Sequence, residues 1–276
     1  MTKTPLSFSS HPLDKFAQDY NIDPKFVDLV SDLMLMSKFY VKNGMWIAGG
    51  CFGRMMRGEK LESFNTDLQI ESPIEEGPYF RSGDWDRKLT EIDYQRGDID
   101  IFFRDQSDIR SFLNFIMDNK EAFPGTRFTD IQSRFAITFI LNTGEYKIKT
   151  QLVNCDYFKS AEDVLKNFDL SCCMIATDGI DVIFEDTRSV SDSLQKRLRF
   201  NKEKLYNVVK EGEGNSFIAM RRLQKYLKQG FTIDNHELAT FIDFIQTLPK
   251  AIIEKSSKDY YWLPKEKREE MFQEIK

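Results

Sequence analysis

Two short stretches carry residues whose types and spacing could do chemistry: Met45-Trp46-Ile47-Ala48-Gly49-Gly50-Cys51-Phe52-Gly53-Arg54-Met55-Met56-Arg57-Gly58 and Gly97-Asp98-Ile99-Asp100-Ile101-Phe102-Phe103. On an extended strand, residues two apart share a face, so Asp98 and Asp100 stand side by side while Ile99, Ile101 and Phe102 supply the apolar positions around them. Two neighbouring carboxylates repel unless a cation bridges them, and hard divalent ions favour carboxylate and phosphate oxygens. The pair is therefore expected to hold Mg²⁺ or Mn²⁺ carrying a nucleoside triphosphate. The first stretch reads as an apolar strand running through a glycine pair into a helix. That turn gathers backbone N–H groups at a helix start, a phosphate cradle centred on Gly49 and Gly50. Arg54 and Arg57 would add charge-assisted bonds to the same phosphates. Plainer readings stand beside these: a glycine pair can merely turn the chain, and an acidic pair on an edge strand can simply face water.

These residues need elements to hold them. Pro24 opens a helical pattern in which Phe26, Val27, Val30, Leu33, Met34, Met36 and Phe39 recur at largely helical spacing. Met45–Ala48 is expected as a strand, 51–57 as the following helix, 97–103 as the second strand and 108–117 as a helix. Strands at 135–141 and 146–153 are joined across Asn142-Thr143-Gly144, and strands at 170–176 and 180–184 across Thr177-Asp178-Gly179, both good hairpin turns. A short helix is expected at 161–167. From Val190 onward the pattern turns helical, roughly 191–210, 215–229, 234–246 and 265–275, punctuated by Gly212, Gly214 and Gly230. The fold class is thus α+β, a mixed-sheet domain over residues 1–190 followed by a basic helical domain over 191–276. Residues 59–96 interrupt this scheme with ten acidic and five basic residues, and Pro73, Gly77, Pro78 and Gly83 among them. They read as a long inserted loop or small subdomain beside the site.

The net charge of −5 hides an asymmetry. Residues 1–190 hold 22 Lys and Arg against 31 Asp and Glu, whereas residues 191–276 hold 17 against 13. Ten basic and three acidic residues fall between Lys196 and Lys228, which suits either a polyanionic substrate near an acidic metal site or a solvated helix face. The four cysteines and two histidines have no zinc-ligand spacing, so neither a structural zinc nor a disulfide framework is expected, and a reducing cytoplasm fits. No signal peptide and no membrane-spanning stretch is read, and no membrane partner is expected.

A glycine pair at a strand-to-helix turn, followed by Asp-hydrophobic-Asp on the next strand, resembles the nucleotidyltransferase superfamily of DNA polymerase β-like folds, and within it the bacterial-type CCA-adding enzymes and poly(A) polymerases. Gly49-Gly50 with Gly58 mirrors that family's glycine-pair segment, with Gly53-Arg54 where Arg-Asp is usual. Asn167-Phe168-Asp169-Leu170-Ser171 is similar to its Arg-Asp-Phe-Thr-x-Asn segment, which contacts the nucleotide ribose. Lys166 and Asn167 stand for Arg-Asp, and Ser171 stands for the Asn. Arg221-Arg222-Leu223-Gln224-Lys225 through Gly230-Phe231-Thr232-Ile233-Asp234 resembles the helix ending in Gly-Phe-x-Ile-Asp that follows the catalytic domain. The family's base-reading Glu-Asp-x-x-Arg has no counterpart.

The resemblance implies a nucleotidyltransferase-like mixed sheet with flanking helices and an all-helical domain behind it. It further implies transfer of NMP from an NTP to a hydroxyl with release of pyrophosphate. Asp98 and Asp100 would be the metal ligands and catalytic pair, Gly49, Gly50, Arg54 and Arg57 the triphosphate contacts, and Arg221, Arg222 and Lys225 the acceptor contacts. Many members place a third carboxylate on a later strand. Here 146–153 offers only Lys147, Lys149, Thr150 and Gln151, and Asp169 is the substitute, with a turn or cap role as its plainer alternative. The implied acceptor is an RNA 3′ end of tRNA type. NMP transfer to a protein or small molecule, and a catalytically silent RNA- or nucleotide-binding module, remain as competing functions.

Overall fold

The computed structural model describes residues 6–66, 97–132, 136–154, 156–202, 204–205 and 222–247. They divide into two compact units, the first ending at Arg197 and the second beginning at Leu198. Most of the insert (67–96), Arg221, the expected helix at 265–275, and residues 206–210 and 215–221 of the helices expected over 191–210 and 215–229 lie outside the described residues.

The first unit is built on a mixed sheet of eight strands in the order β1-β8-β7-β2-β3-β6-β5-β4. The strands are β1 (Phe8–Pro12), β2 (Met45–Ala48), β3 (Ile99–Phe103), β4 (Arg127–Gln132), β5 (Ala136–Asn142), β6 (Lys147–Val153), β7 (Ile175–Thr177) and β8 (Asp181–Glu185). β3 and β6 are the parallel pair; the other neighbours run antiparallel. Period-two alternation sends Met45, Ile47, Ile99, Ile101, Phe103, Ile148 and Leu152 into one large core with the helices Leu13–Asp19, Pro24–Ser37, Gly50–Met56 and Gln106–Asp118. Trp46, Ala48 and Phe102 face the other way, into a smaller core closed by Phe158 and the helix Ala161–Lys166. Asp98 and Asp100 belong to this second face.

Local chemistry explains the turns. Between β5 and β6 the Asn142 side chain accepts the Gly144 N–H at 2.9 Å, with Gly144 at φ +87°. Between β7 and β8 the Asp178 side chain accepts from Ile180 and Asp181, both at 2.9 Å, with Gly179 at φ +88°. Asp23 caps the helix that Pro24 opens, its carboxylate accepting from Lys25 and, across the fold, from Leu61.

Three expected elements differ. The core-facing helical pattern read from Pro24 through Phe39 ends as a helix at Ser37, and Phe39 is 85% exposed. The segment expected as a strand from Leu170 begins as a turn of 3₁₀ helix, Ser171–Cys173, and only Ile175–Thr177 pairs in the sheet. The cause is side-chain chemistry: buried Ser171 donates to Asp192 at 2.6 Å, and Ser193 donates to the Cys172 carbonyl at 2.7 Å, which pulls the chain off the ladder. The helix expected over 191–210 instead runs Asp186–Leu194, leaving directly from β8. It stops where Lys196 takes φ +50°, and the chain extends at Arg197–Leu198.

In the second unit, the helix over residues 222–228 ends at Gly230, whose φ of +82° is the left-handed turn that stops a helix. Phe231 folds back edge-on against Tyr226, and Asp234 accepts from the Glu237 N–H at the start of the helix Asn235–Thr247. The Gly-Phe-x-Ile-Asp stretch is therefore a helix stop followed by a helix start. Phe200 stacks on Phe241 at 5.1 Å, and its N–H donates to buried Glu237. No helix among the described residues is long and apolar enough to cross a membrane.

Candidate active site

The two motifs that lie about fifty residues apart in sequence meet in the sheet. β2 and β3 are adjacent and antiparallel, with Ala48 opposite Asp100. The chain then turns at Gly49, which sits at φ +103°, ψ −153° and caps the helix Gly50–Met56. That backbone conformation is essentially reserved for glycine. A Cβ at Gly49 would lie 3.6 Å from Asp100 Oδ2 and 3.5 Å from the Phe168 ring, so three separate segments converge on this glycine. Phe168 also packs edge-on against Phe102, two residues after Asp100 on the same face.

β6 completes the face on the other side. In its parallel register Ile99 lies opposite Thr150 and Asp100 opposite Gln151, which places Lys149 and Gln151 on the carboxylate face. The Lys149 ammonium lies 3.5 Å from Asp98 Oδ2, with both side chains largely covered. Gln151 in turn donates to Thr138 of β5 at 3.2 Å. Lys149 as an ion partner escaped the sequence reading, which named it only as a residue that is not acidic. The signal that would have found it is the parallel pairing of these strands.

The glycine pair acts unequally. The Gly49 N–H is bonded to the Ile175 carbonyl of β7 at 3.0 Å, so Gly49 supplies close approach rather than a phosphate donor. The donors at this helix start are those of Gly50, Cys51 and Phe52. Arg54 bonds Glu59 at 2.7 Å and lies over the Phe64 ring. Arg57 donates to the Ser193 carbonyl at 2.9 Å and lies 3.8 Å from Glu59. Both guanidinium groups are engaged in the protein's own packing, and Glu59 at the head of the insert is a shared partner.

Asp169 is buried immediately after Phe168. Lys166 and Asn167, in the place of the family's Arg-Asp, turn back to their own helix: Lys166 pairs with Asp163 at 3.1 Å, and Asn167 donates to the Asp163 carbonyl at 2.9 Å. Arg222 and Lys225 belong to the second unit, Arg222 exposed and Lys225 half-buried near the Tyr226 ring.

The electrostatics fit a cation. Burial, and then the negative charges of Asp100 and Asp98, push the Cys51 thiol well up, so it stays protonated and is no nucleophile. Among the described residues no group of three or more His, Cys, Asp or Glu converges as a metal cage. Two hard carboxylates beside a helix start suit Mg²⁺, which takes one or two protein carboxylates and completes its shell with substrate phosphates.

This mixed sheet, with two aspartates on its second face beside a glycine-capped helix, has the fold of solved CCA-adding enzymes. The Thermotoga maritima CCA-adding enzyme complexed with tRNA shares it, with a TM-score of 0.52 and 12% identity over 91% of this chain and 48% of that one. So does a CCA-adding enzyme in complex with ATP, with a TM-score of 0.52 and 12% identity over 99% and 52%. The chain belongs to the Gabija anti-defense 2 family, whose model matches residues 21–197. It is 26% identical over 148 residues to Gabija anti-defense 2 of Bacillus phage SPbetaL7, and the match spans 52% of this chain and 32% of that protein. The chain thus spans about a third of the curated relative it matches and about half of these solved structures.

Proposed function

We propose that the protein is a Mg²⁺-dependent nucleotidyltransferase, moving NMP from an NTP to a hydroxyl acceptor with release of pyrophosphate. The observation that carries this is the pairing of Ala48 with Asp100 across β2 and β3, with Asp100 Oδ2 3.6 Å from where a Cβ on Gly49 would stand, which brings the helix start and the acidic pair together. Asp98 and Asp100 would hold the metal ion through carboxylate oxygens. When bound, the ion neutralises charge developing on the phosphates and lowers the pKa of the attacking hydroxyl. The N–H groups of Gly50, Cys51 and Phe52 would orient the triphosphate beside the Phe168 ring. Asp169, next along the chain, stands nearest in sequence to that contact and would act as the third carboxylate. Arg54 and Arg57, fixed by Glu59, would stiffen the helix and the head of the insert.

For the acceptor, an RNA 3′ end is supported by the fold shared with a tRNA-bound CCA-adding enzyme and by the basic stretch that includes Arg221, Arg222 and Lys225. A second reading is transfer to a protein or small molecule, favoured by the missing base-reading Glu-Asp-x-x-Arg and the acidic insert over 59–96; the family's description names an anti-defense role and no acceptor. Incubation with each α-labelled NTP, Mg²⁺ and either tRNA or protein acceptors separates them. RNA labelling is destroyed by nuclease and protein labelling by protease. Label in neither RNA nor protein, and in no new small-molecule product when a cell extract is supplied, with every NTP, would sink the transferase reading.

A further inference from the structure

Lys147 and Lys149 form a short basic row on the carboxylate face. The alternation of β6 sends Ile148, Thr150 and Leu152 fully into the interior, and leaves Lys147 exposed and Lys149 and Gln151 partly covered on the other side. The register against β3 puts Lys149 beside Asp98, with the ammonium 3.5 Å from Oδ2, and Gln151 beside Asp100. Across the row on β5 stand Asn142, Ile140 and Thr138, none of them charged. The row is fixed in place: Gln151 donates to Thr138 at 3.2 Å, and the Lys147 backbone donates to Asn65 Oδ1 and accepts from the Thr66 N–H, both at 2.8 Å.

The direction of the reaction gives this row a use. β2, with the helix start that follows Gly49, lies on one side of β3, and β6 lies on the other. In an in-line displacement the leaving and attacking oxygens stand on opposite sides of phosphorus. A triphosphate held at the helix start directs its pyrophosphate to the β2 side, so the acceptor hydroxyl arrives from the β6 side, past Lys149. We propose that Lys149 and Lys147 bind backbone phosphates of an RNA acceptor strand, Lys149 the phosphodiester nearest the 3′ hydroxyl and Lys147 the one before it. Two residues along a strand advance about 6.6 Å, a step that matches successive phosphates of an extended single strand. An ammonium has three donors, so Lys149 can keep its bond to Asp98 and still bond a phosphate. Both charges offset the repulsion between the incoming strand and the aspartate pair.

The proposal rests on the RNA-acceptor reading above, and RNA binding by the full chain tests the two separately. The probe is a 5′-fluorescein RNA hairpin with a single-stranded 3′ tail, followed by anisotropy, beside copies carrying one neutral methylphosphonate at the last linkage, the penultimate linkage or in the hairpin loop. With wild type, the last and the penultimate substitutions should each weaken binding about tenfold, and the loop substitution should not. K149Q should lose about tenfold on unmodified RNA and nothing further from the substitution at the last linkage. K147Q should be blind in the same way to the penultimate one, and K149R should match wild type. Each Gln variant should also lower the slope of log affinity against log salt by about 0.7. Thermal melts establish that each variant is folded, and the modified RNAs test wild type without any variant. Wild type that binds RNA yet ignores both near linkages, or a folded K149Q that still loses tenfold at the last one, overturns the assignment of the lysines. Wild type that binds none of these RNAs overturns instead the acceptor reading beneath it.

Discussion

Replacing Gly49 with alanine isolates the strain on which the site is built. At φ +103°, ψ −153° the residue occupies a region that an L side chain tolerates only at a cost of about 1–3 kcal/mol. The added methyl would meet Phe168 at 3.5 Å and Asp100 Oδ2 at 3.6 Å, ordinary contact distances, so the backbone accounts for most of the penalty. Relaxation to negative φ would rotate the peptide away from Ile175, whose carbonyl accepts the Gly49 N–H at 3.0 Å, and would draw the helix start away from Asp100. At roughly 2–4 °C per kcal/mol for a chain of this size, the melting midpoint should fall by about 2–12 °C. Gly58→Ala is the matched control: φ is +80°, but no atom lies within 4 Å of its Cβ position. Gly58→Ala should lower the melting midpoint without touching function, whereas Gly49→Ala should lower both the midpoint and nucleotidyl transfer measured well below it. A Gly49→Ala protein that melts within about a degree of wild type and keeps full turnover would refute the reasoning.

Two further substitutions probe the support of the site. A Cβ on Gly53 would come 2.5 Å from Ser193 Oγ, the hydroxyl that donates to the Cys172 carbonyl, so Gly53→Ala should cost about 1–3 kcal/mol by overpacking. A double-mutant cycle with Ser193→Ala, read by chemical denaturation, should show a combined penalty smaller than the sum of the two, and strict additivity would disprove the contact. Glu185 is buried with no hydrogen-bond partner for its Oε2 among the described residues, and desolvation holds its carboxyl above the usual range against the opposing pull of Arg188. Its folded form binds the proton more tightly than the unfolded form, so its contribution is fully present at acid pH and is lost as pH rises through the raised value. Glu185→Gln should therefore raise the melting midpoint at pH 7 to 8, a gain of about 1 kcal/mol or less that fades below the ordinary carboxyl range; a gain that persists unchanged at low pH would exclude this cause.

The sheet-forming segments and their turns could be read from the sequence because their causes are local. An apolar run before a glycine pair marked β2 and alternation marked β3, Asn142-Thr143-Gly144 and Asp178-Gly179 fixed two hairpins through their own side chains, and Pro24 announced a helix. What could not be read depends on partners far along the chain. The pairing of Ala48 with Asp100 spans the insert. The Lys149–Asp98 ion pair depends on a parallel register that no local pattern signals. The bond from the Gly49 N–H to the Ile175 carbonyl, and the pairing of Arg54 and Arg57 with Glu59, are made by partners that spacing alone does not reveal. The Ser171–Cys173 turn likewise depends on Asp192 and Ser193, some twenty residues on.

The central claim is that Asp98 and Asp100 support attack at the α-phosphorus of an NTP. Parallel reactions with α-labelled and γ-labelled NTP, Mg²⁺ and an RNA or protein acceptor test it most directly, with wild type set against D98N/D100N of matched melting temperature. The account predicts that the α-label enters the acceptor, the γ-label leaves as pyrophosphate, and the double variant does neither. Label retained by the double variant, or γ-label in the acceptor, would contradict it.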